Sequence, residues 1–166
     1  SNALKYLRLL NPRSKTINLS EGVGQGNSVA SLAIAAHELG HAQQDHEEYF
    51  LLKLRGAMVP MVNVGSYLGW IMIFAGLLLN FTGLAYLGLI VFSGGALFAL
   101  ATLPVELDAS ARAKKMLLAS GIINSGEEMA GVNKVLNAAA LTYVAGLFTA
   151  VMQLLYFASM VTGRRR

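Results

Sequence analysis

The 166-residue sequence contains no cysteine and few charged side chains, and each shortage excludes a class of protein. Without cysteine the chain has neither a disulfide framework nor a thiolate metal site. Charged residues make up 13% of the chain, whereas soluble domains carry about 25%. The net charge of +4 is small, and no basic stripe with interleaved aromatic residues indicates nucleic-acid binding. The composition therefore favours a membrane protein.

Charge is absent from two long stretches, residues 56–105 and 135–163. A helix needs about 20 apolar residues to cross a bilayer, so the first stretch is long enough for two crossings and the second for one. Turn-forming residues cluster at 80–83 and divide the first stretch. We therefore expect a transmembrane hairpin with helices at 57–79 and 84–104.

The distribution of charge predicts four segments in an all-α membrane protein that forms a single unit. Residues 1–55 are an N-terminal segment with a short strand and a histidine-containing helix, and residues 56–105 are the hairpin. Residues 106–134 form a surface helix and loop, and residues 135–163 form a third transmembrane helix.

The N-terminal segment carries three local signals. Residues 15–20, KTINLS, alternate polar and apolar side chains and predict a short strand. Asn27 or Ser28 can cap a helix that runs to about residue 50. Residues 1–3, Ser-Asn-Ala, are typical of the remainder of a cleaved tag, so we expect the natural chain to begin earlier.

The stretch AAHELGHAQQD, residues 35–45, contains the pattern H-E-x-x-H. On a helix His37 and His41 lie on one face, one turn apart, and direct two imidazoles at one point, which suits Zn²⁺. Glu38 is then placed to act as a general base on a water molecule bound to zinc. Gly40 leaves room for another segment or a substrate. Two surface histidines beside a glutamate could arise by chance, but all three histidines of the chain lie within ten residues.

A catalytic zinc site needs a third protein ligand and an open position for water. His46 points away from the face of the other two histidines. Glu106 lies at the membrane edge, where an unpaired carboxylate would be costly, and the hairpin returns it to the side of the motif. Asp108 competes for the same role; the prediction is Glu106.

Other side chains could assist such a site. A zinc-binding histidine usually donates its other N–H to a carboxylate or carbonyl, and Asp45 and Asp108 could accept it. Tyr143 could stabilise an oxyanion. The acids could equally be solvated surface groups, and a tyrosine at this place often packs or lies at the membrane interface.

Four sequence blocks together resemble the bacterial YugP-type family of neutral zinc metallopeptidases, from about Asn11 to about Leu155: SVASLAIAAHELGHAQQ, LKLRGAMVPMVNVGS, LPVELDASARA and KVLNAAALTYVAGL. The resemblance implies an integral membrane protein with an H-E-x-x-H zinc site. It also implies that an apolar segment and a small soluble region upstream are missing.

The order H-E-L-G-H followed by E-x-x-A is similar to the HtpX and CAAX-prenyl-protease type of gluzincin. In those enzymes the glutamate of the second motif is the third zinc ligand, which implies this role for Glu106. The residue four positions later is usually aspartate there, and in this chain it is Ser110.

These observations predict a membrane-embedded zinc metalloendopeptidase that acts on membrane or membrane-proximal proteins. The site is expected at the membrane surface, since only nine uncharged residues (28–36) precede the motif. Ten of the 13 Lys and Arg lie on that side, which predicts a cytoplasmic site in the bacterial inner membrane, although the terminal arginines 164–166 would then lie outside.

Two other functions compete with this prediction. A membrane scaffold or regulator could bind zinc structurally, with Asp45 or His46 as a fourth ligand. A transporter is less favoured, because the membrane helices contain no ionisable residue for a midplane site.

Overall fold

A computed structural model describes residues 29–163 of the chain, and helices account for nearly all of this part. The helices are α1 (Val29–His46), α2 (Phe50–Leu78), α3 (Thr82–Phe92), α4 (Gly94–Ala119) and α5 (Gly126–Gly163). Within the described range no strand is present, which confirms the all-α fold. The strand predicted at 15–20, the capping residues Asn27 and Ser28, and the terminal arginines lie outside the described residues.

Three helices are long and apolar enough to cross a membrane: Phe50–Leu78, Thr82–Ala119 and Gly126–Gly163. Many of their large apolar side chains are exposed, among them Tyr67 at 78% and Met61 at 73%. Soluble monomers rarely expose apolar surface on this scale, because contact with water is unfavourable. Both observations agree with the membrane protein that the composition predicts.

The first two candidate spans form the expected hairpin. Helix α2 ends at Leu78 and α3 begins at Thr82, and Asn80 between them has a φ of 53°. Asparagine is one of the few non-glycine residues that adopt this left-handed conformation readily, so the turn falls where the sequence indicates. Helices α3 and α4 are separated only by Ser93, whose φ of −60° and ψ of −19° are still helical.

Two helices begin earlier than the uncharged stretches suggest: α2 at Phe50 and α5 at Gly126. Ahead of α5, the Ser125 hydroxyl accepts a hydrogen bond from the backbone N–H of Glu128 at 3.1 Å. The Glu128 carboxylate reaches back to the backbone N–H of Asn124, also at 3.1 Å. This reciprocal capping satisfies donors at the start of the helix and fixes its first turn.

Tertiary contacts divide the chain into two compact units, which we call the site unit and the hairpin unit. Among the described residues, the site unit comprises residues 29–52 together with Pro104–Thr142. Among the described residues, the hairpin unit comprises Lys53–Leu103 and residues 143–163. In the hairpin unit, a methyl group on Gly76 would overlap the backbone of Ala85, so α2 and α3 pack at close range.

The core of the site unit contains alanines from both α1 and α4. The buried cluster consists of Ala33, Ala36, Ala113, Leu117, Ile123, Val132 and Leu136. Alanine and glycine allow helix backbones to approach closely. At the closest point Gly40 faces the backbone of Ala109, and a Cβ on Gly40 would lie 2.9 Å from the carbonyl carbon of Ala109. This contact positions the polar residues of α4 against the histidines of α1.

Candidate metal centre

Helix α1 brings two imidazole rings together, and α4 supplies a carboxylate opposite them. The rings of His37 and His41 have centroids 4.8 Å apart and planes at 87°, as expected for positions one helical turn apart. Glu106 approaches them from α4, with its Oε2 at 2.9 Å from Nε2 of His37 and 3.3 Å from Nε2 of His41. The ligand atoms of the three residues all lie within 4.8 Å of one another.

Exposure differs across the centre. The side chain of Glu106 is only 4% exposed, whereas those of His37 and His41 are 14% and 20% exposed. A buried carboxylate is costly without a positively charged or hydrogen-bonding partner. Because Glu106 is the least exposed of the three side chains, its carboxylate lies at the closed end of the centre, and the imidazoles lie nearer to its open side.

The distances from Glu106 to the two imidazoles suit a zinc ion. Zinc binds nitrogen and oxygen ligands at about 2.0–2.2 Å, so tetrahedral neighbours lie roughly 3.3 Å apart, close to the observed 2.9 and 3.3 Å. Each histidine also uses its second ring nitrogen: Nδ1 of His37 lies 3.0 Å from Ser110 Oγ, and Nδ1 of His41 lies 2.9 Å from Gln44 Oε1. Outer hydrogen bonds of this kind orient metal-binding imidazoles in proteins.

The negative charges around His41 favour positive charge at this position. Burial alone would lower the pKa of this imidazole, but the hydrogen bond to Glu106 and the negative charge of that carboxylate outweigh it. The charge of Glu38 acts in the same direction, and the pKa of His41 lies above its ordinary value. The same negative charges would stabilise a bound metal ion.

A second polar network lies behind His41. The Gln44 side chain is fully buried, and its Nε2 donates to the Val105 carbonyl at 2.9 Å and to Asp108 Oδ2 at 2.8 Å. The same Asp108 oxygen accepts from Arg112 Nε at 2.7 Å, and Arg112 also pairs with Glu47. Glu47 is the exposed last member of this network, and the hydrogen bond from Arg112 holds the pKa of Glu47 below its ordinary value.

The structure brings together three of the residues singled out in the sequence, His37 and His41 on α1 and Glu106 on α4, and Glu38 directly follows His37 on α1. Glu38 is half-buried, and within residues 29–163 its side chain makes no hydrogen bond.

The other singled-out residues lie elsewhere. Asp108 contacts Gln44 rather than a histidine, and Asp45 makes no side-chain hydrogen bond to another described residue. His46 is exposed at the end of α1 and does not join the ligand group. Tyr143 lies on α5 in the hairpin unit and is 37% exposed.

Sequence reasoning missed Gln44 and the contact that Ser110 makes. Gln44 lies three residues after His41, and Ser110 lies four residues after Glu106, so each shares a helix face with a ligand. These spacings of three and four residues from a ligand were the signal in the sequence that could have pointed to both contacts.

Comparison with known proteins agrees with this geometry. Residues 8–162 match the model of the protein family described as "Putative neutral zinc metallopeptidase". The chain belongs to this family, in which zinc is the cofactor.

One relative is the Bacillus subtilis (strain 168) protein named "Putative membrane protease YugP", to which the chain is 44% identical over 146 residues. The aligned region covers 88% of this chain and 64% of the relative, so the chain spans less than two thirds of that protein's length. No solved structure matches the chain.

Proposed function

We propose that the protein is a membrane-embedded zinc metalloendopeptidase that hydrolyses peptide bonds of membrane or membrane-proximal proteins. The observation that carries the proposal is the convergence of His37, His41 and Glu106 on one point beside Glu38. Membership of a zinc metallopeptidase family and similarity to a protein named as a membrane protease support it.

In this proposal His37, His41 and Glu106 hold the metal, and Glu38 handles protons. Bound zinc would polarise the scissile carbonyl and lower the pKa of the attacking water. Glu38 accepts a proton from that water and later delivers it to the leaving amine, as a general base and then a general acid. Its carboxylate is free of hydrogen bonds to other described side chains, which supports the role.

The position of Glu106 supports a substrate near the bilayer. The candidate span Thr82–Ala119 has 38 residues, nearly twice the roughly 20 that a helix needs to cross the hydrocarbon core. Its uncharged part ends at Val105, directly before the proposed ligand. We place the centre at the membrane surface, on the cytoplasmic side of a bacterial inner membrane, because ten of the 13 Lys and Arg lie there.

A membrane scaffold with a structural zinc site is the competing function. Structural zinc sites are closed by four protein ligands, whereas catalytic sites keep a position open for water. Among the described residues the ligand group has three members, and neither Asp45 nor His46 belongs to it. This count favours the peptidase.

The exchange Glu38→Gln tests the chemistry. We expect the purified variant to bind zinc like the wild type, because Glu38 is not a ligand, but to cleave a protein substrate about 10²–10⁴-fold more slowly. Zinc content and proteolysis are measured on the same preparation. Glu127→Gln makes the same change of charge at an exposed position on α5 and should leave both unchanged. Full proteolysis by zinc-loaded Glu38→Gln would exclude Glu38 as the base.

A further inference from the structure

Gln44 is the fully buried polar side chain behind the candidate metal centre, and both of its polar atoms have partners. Its Oε1 lies 2.9 Å from Nδ1 of His41. Its Nε2 donates to the carbonyl of Val105 and to the carboxylate of Asp108. A buried amide is costly unless it is hydrogen-bonded, so these three contacts determine how the amide is oriented.

The amide can be oriented in only one way. A backbone carbonyl and an ionised carboxylate accept hydrogen bonds and donate none, so the NH₂ group of Gln44 must face Val105 and Asp108. Asp108 is in its accepting, ionised form, because the positive charge of Arg112 pairs with the same oxygen at 2.7 Å and favours the carboxylate. Oε1 of Gln44 therefore faces His41 as an acceptor, and Nδ1 of His41 must carry a proton.

A neutral imidazole that carries its proton on Nδ1 has its free electron pair on Nε2. In His41 this is the nitrogen that faces Glu106. We infer that Gln44 is a positioning residue that fixes the ring and the Nδ1–H tautomer of His41, so that Nε2 is presented to the metal. The inference rests on the proposed metal site and adds to it a residue outside the ligand set.

The two histidines differ in how strictly their outer partners fix the tautomer of the ring. His37 has Ser110 as its outer partner, and a hydroxyl group can either donate or accept a hydrogen bond. Ser110 can therefore adapt to either tautomer of His37, whereas Gln44 accepts only one tautomer of His41. Asp108 acts on His41 indirectly, by holding the amide of Gln44 in place.

The first test replaces Gln44 by methionine, which has a similar length and no amide. Zinc affinity of the purified protein is measured by competition with a chelator, and we expect it to fall about 10–100-fold. The visible absorption of bound Co²⁺ reports ligand geometry and should change as well. Gln43→Met is the matched control, because Gln43 is exposed and, among the described residues, its side chain bonds only to Glu47; it should behave like the wild type.

The second test uses two changes at Asp108 and remains informative if Gln44→Met fails to fold. Asp108→Asn keeps an oxygen that can accept from Gln44, so zinc affinity should stay near the wild-type value. Asp108→Ala removes that oxygen and should weaken zinc binding, by less than Gln44→Met does. Because Asp108 acts through Gln44, the double variant Gln44→Met/Asp108→Ala should bind zinc as Gln44→Met alone does.

The variants test the role of Gln44 separately from the proposed metal site. Wild-type zinc affinity and an unchanged cobalt spectrum in Gln44→Met would overturn the role of Gln44 and leave the ligand set intact. Equal affinities for Asp108→Ala and Asp108→Asn would overturn the indirect role of Asp108. Glu106→Ala is measured alongside, and wild-type zinc affinity in that variant would instead refute the metal site on which both depend.

Discussion

The hydroxyl of Ser110 is the outer partner of His37, and the residue is only 9% exposed. Replacing it by alanine leaves Nδ1 of a half-buried imidazole without that partner, and lost outer partners weaken metal binding by about 10–100-fold. For Ser110→Ala we expect a loss near tenfold, at the lower end, because half-buried His37 retains some access to water. Chelator competition measures the change.

A matched serine provides the control for this prediction. Ser120 is exposed directly after the end of α4, and its hydroxyl donates a hydrogen bond to the carbonyl of Leu117 in the last turn of that helix. Ser120→Ala should therefore bind zinc like the wild type. If Ser110→Ala and Ser120→Ala bind zinc equally well, the hydrogen bond between Ser110 and His37 contributes nothing to the site.

At the scale of helices, the contact between α1 and α4 depends on Gly40. A methyl group there would lie 2.9 Å from the carbonyl carbon of Ala109, and this neighbour is backbone that cannot rotate away. Gly40→Ala should force the helices apart, lower the free energy of unfolding by about 1–3 kcal/mol and weaken zinc binding, because Glu106 moves away from the histidines. Denaturant unfolding and chelator competition measure the two effects.

Gly56→Ala is the corresponding control within a helix. A Cβ at Gly56 meets no atom of the described residues within 4 Å, and alanine favours the helix over glycine by up to about 1 kcal/mol. This variant should be as stable as the wild type or more stable. If Gly40→Ala matches it in stability and zinc affinity, the close approach of the helices at Ala109 does not hold the centre together.

The contact between α1 and α4 also explains which parts of the candidate metal centre could be predicted from the sequence. The spacing of His37 and His41 on one helix face follows from helical geometry, and the uncharged hairpin explains why Glu106 returns to them. The partners Gln44 and Ser110 depend on how far α1 and α4 approach and on their relative rotation. Hydrophobic periodicity carries no information on either quantity, so the outer contacts became visible only in the folded chain.

The residue at which α5 begins is a second feature that differs between the sequence pattern and the structure. The absence of charge marks where a helix can meet lipid, and it suggested that the third apolar helix begins at 135. Hydrogen-bonded caps decide where the helix itself begins, and Ser125 with Glu128 supplies such a cap nine residues earlier. The S-x-x-E spacing was present in the sequence but is short and common, so the longer uncharged run dominated the prediction.

At the scale of the whole molecule, the distribution of Lys and Arg predicts that the site unit faces the cytoplasm. The absence of cysteine makes this testable, because a single introduced thiol is the only target for a maleimide. Asn124, between α4 and α5, is exposed and suits the substitution Asn124→Cys. The thiol should resist a membrane-impermeant maleimide in intact cells and react fully after permeabilisation. The cysteine-free parent controls for background, and rapid labelling of intact cells would place the unit on the outer face and exclude cytoplasmic substrates.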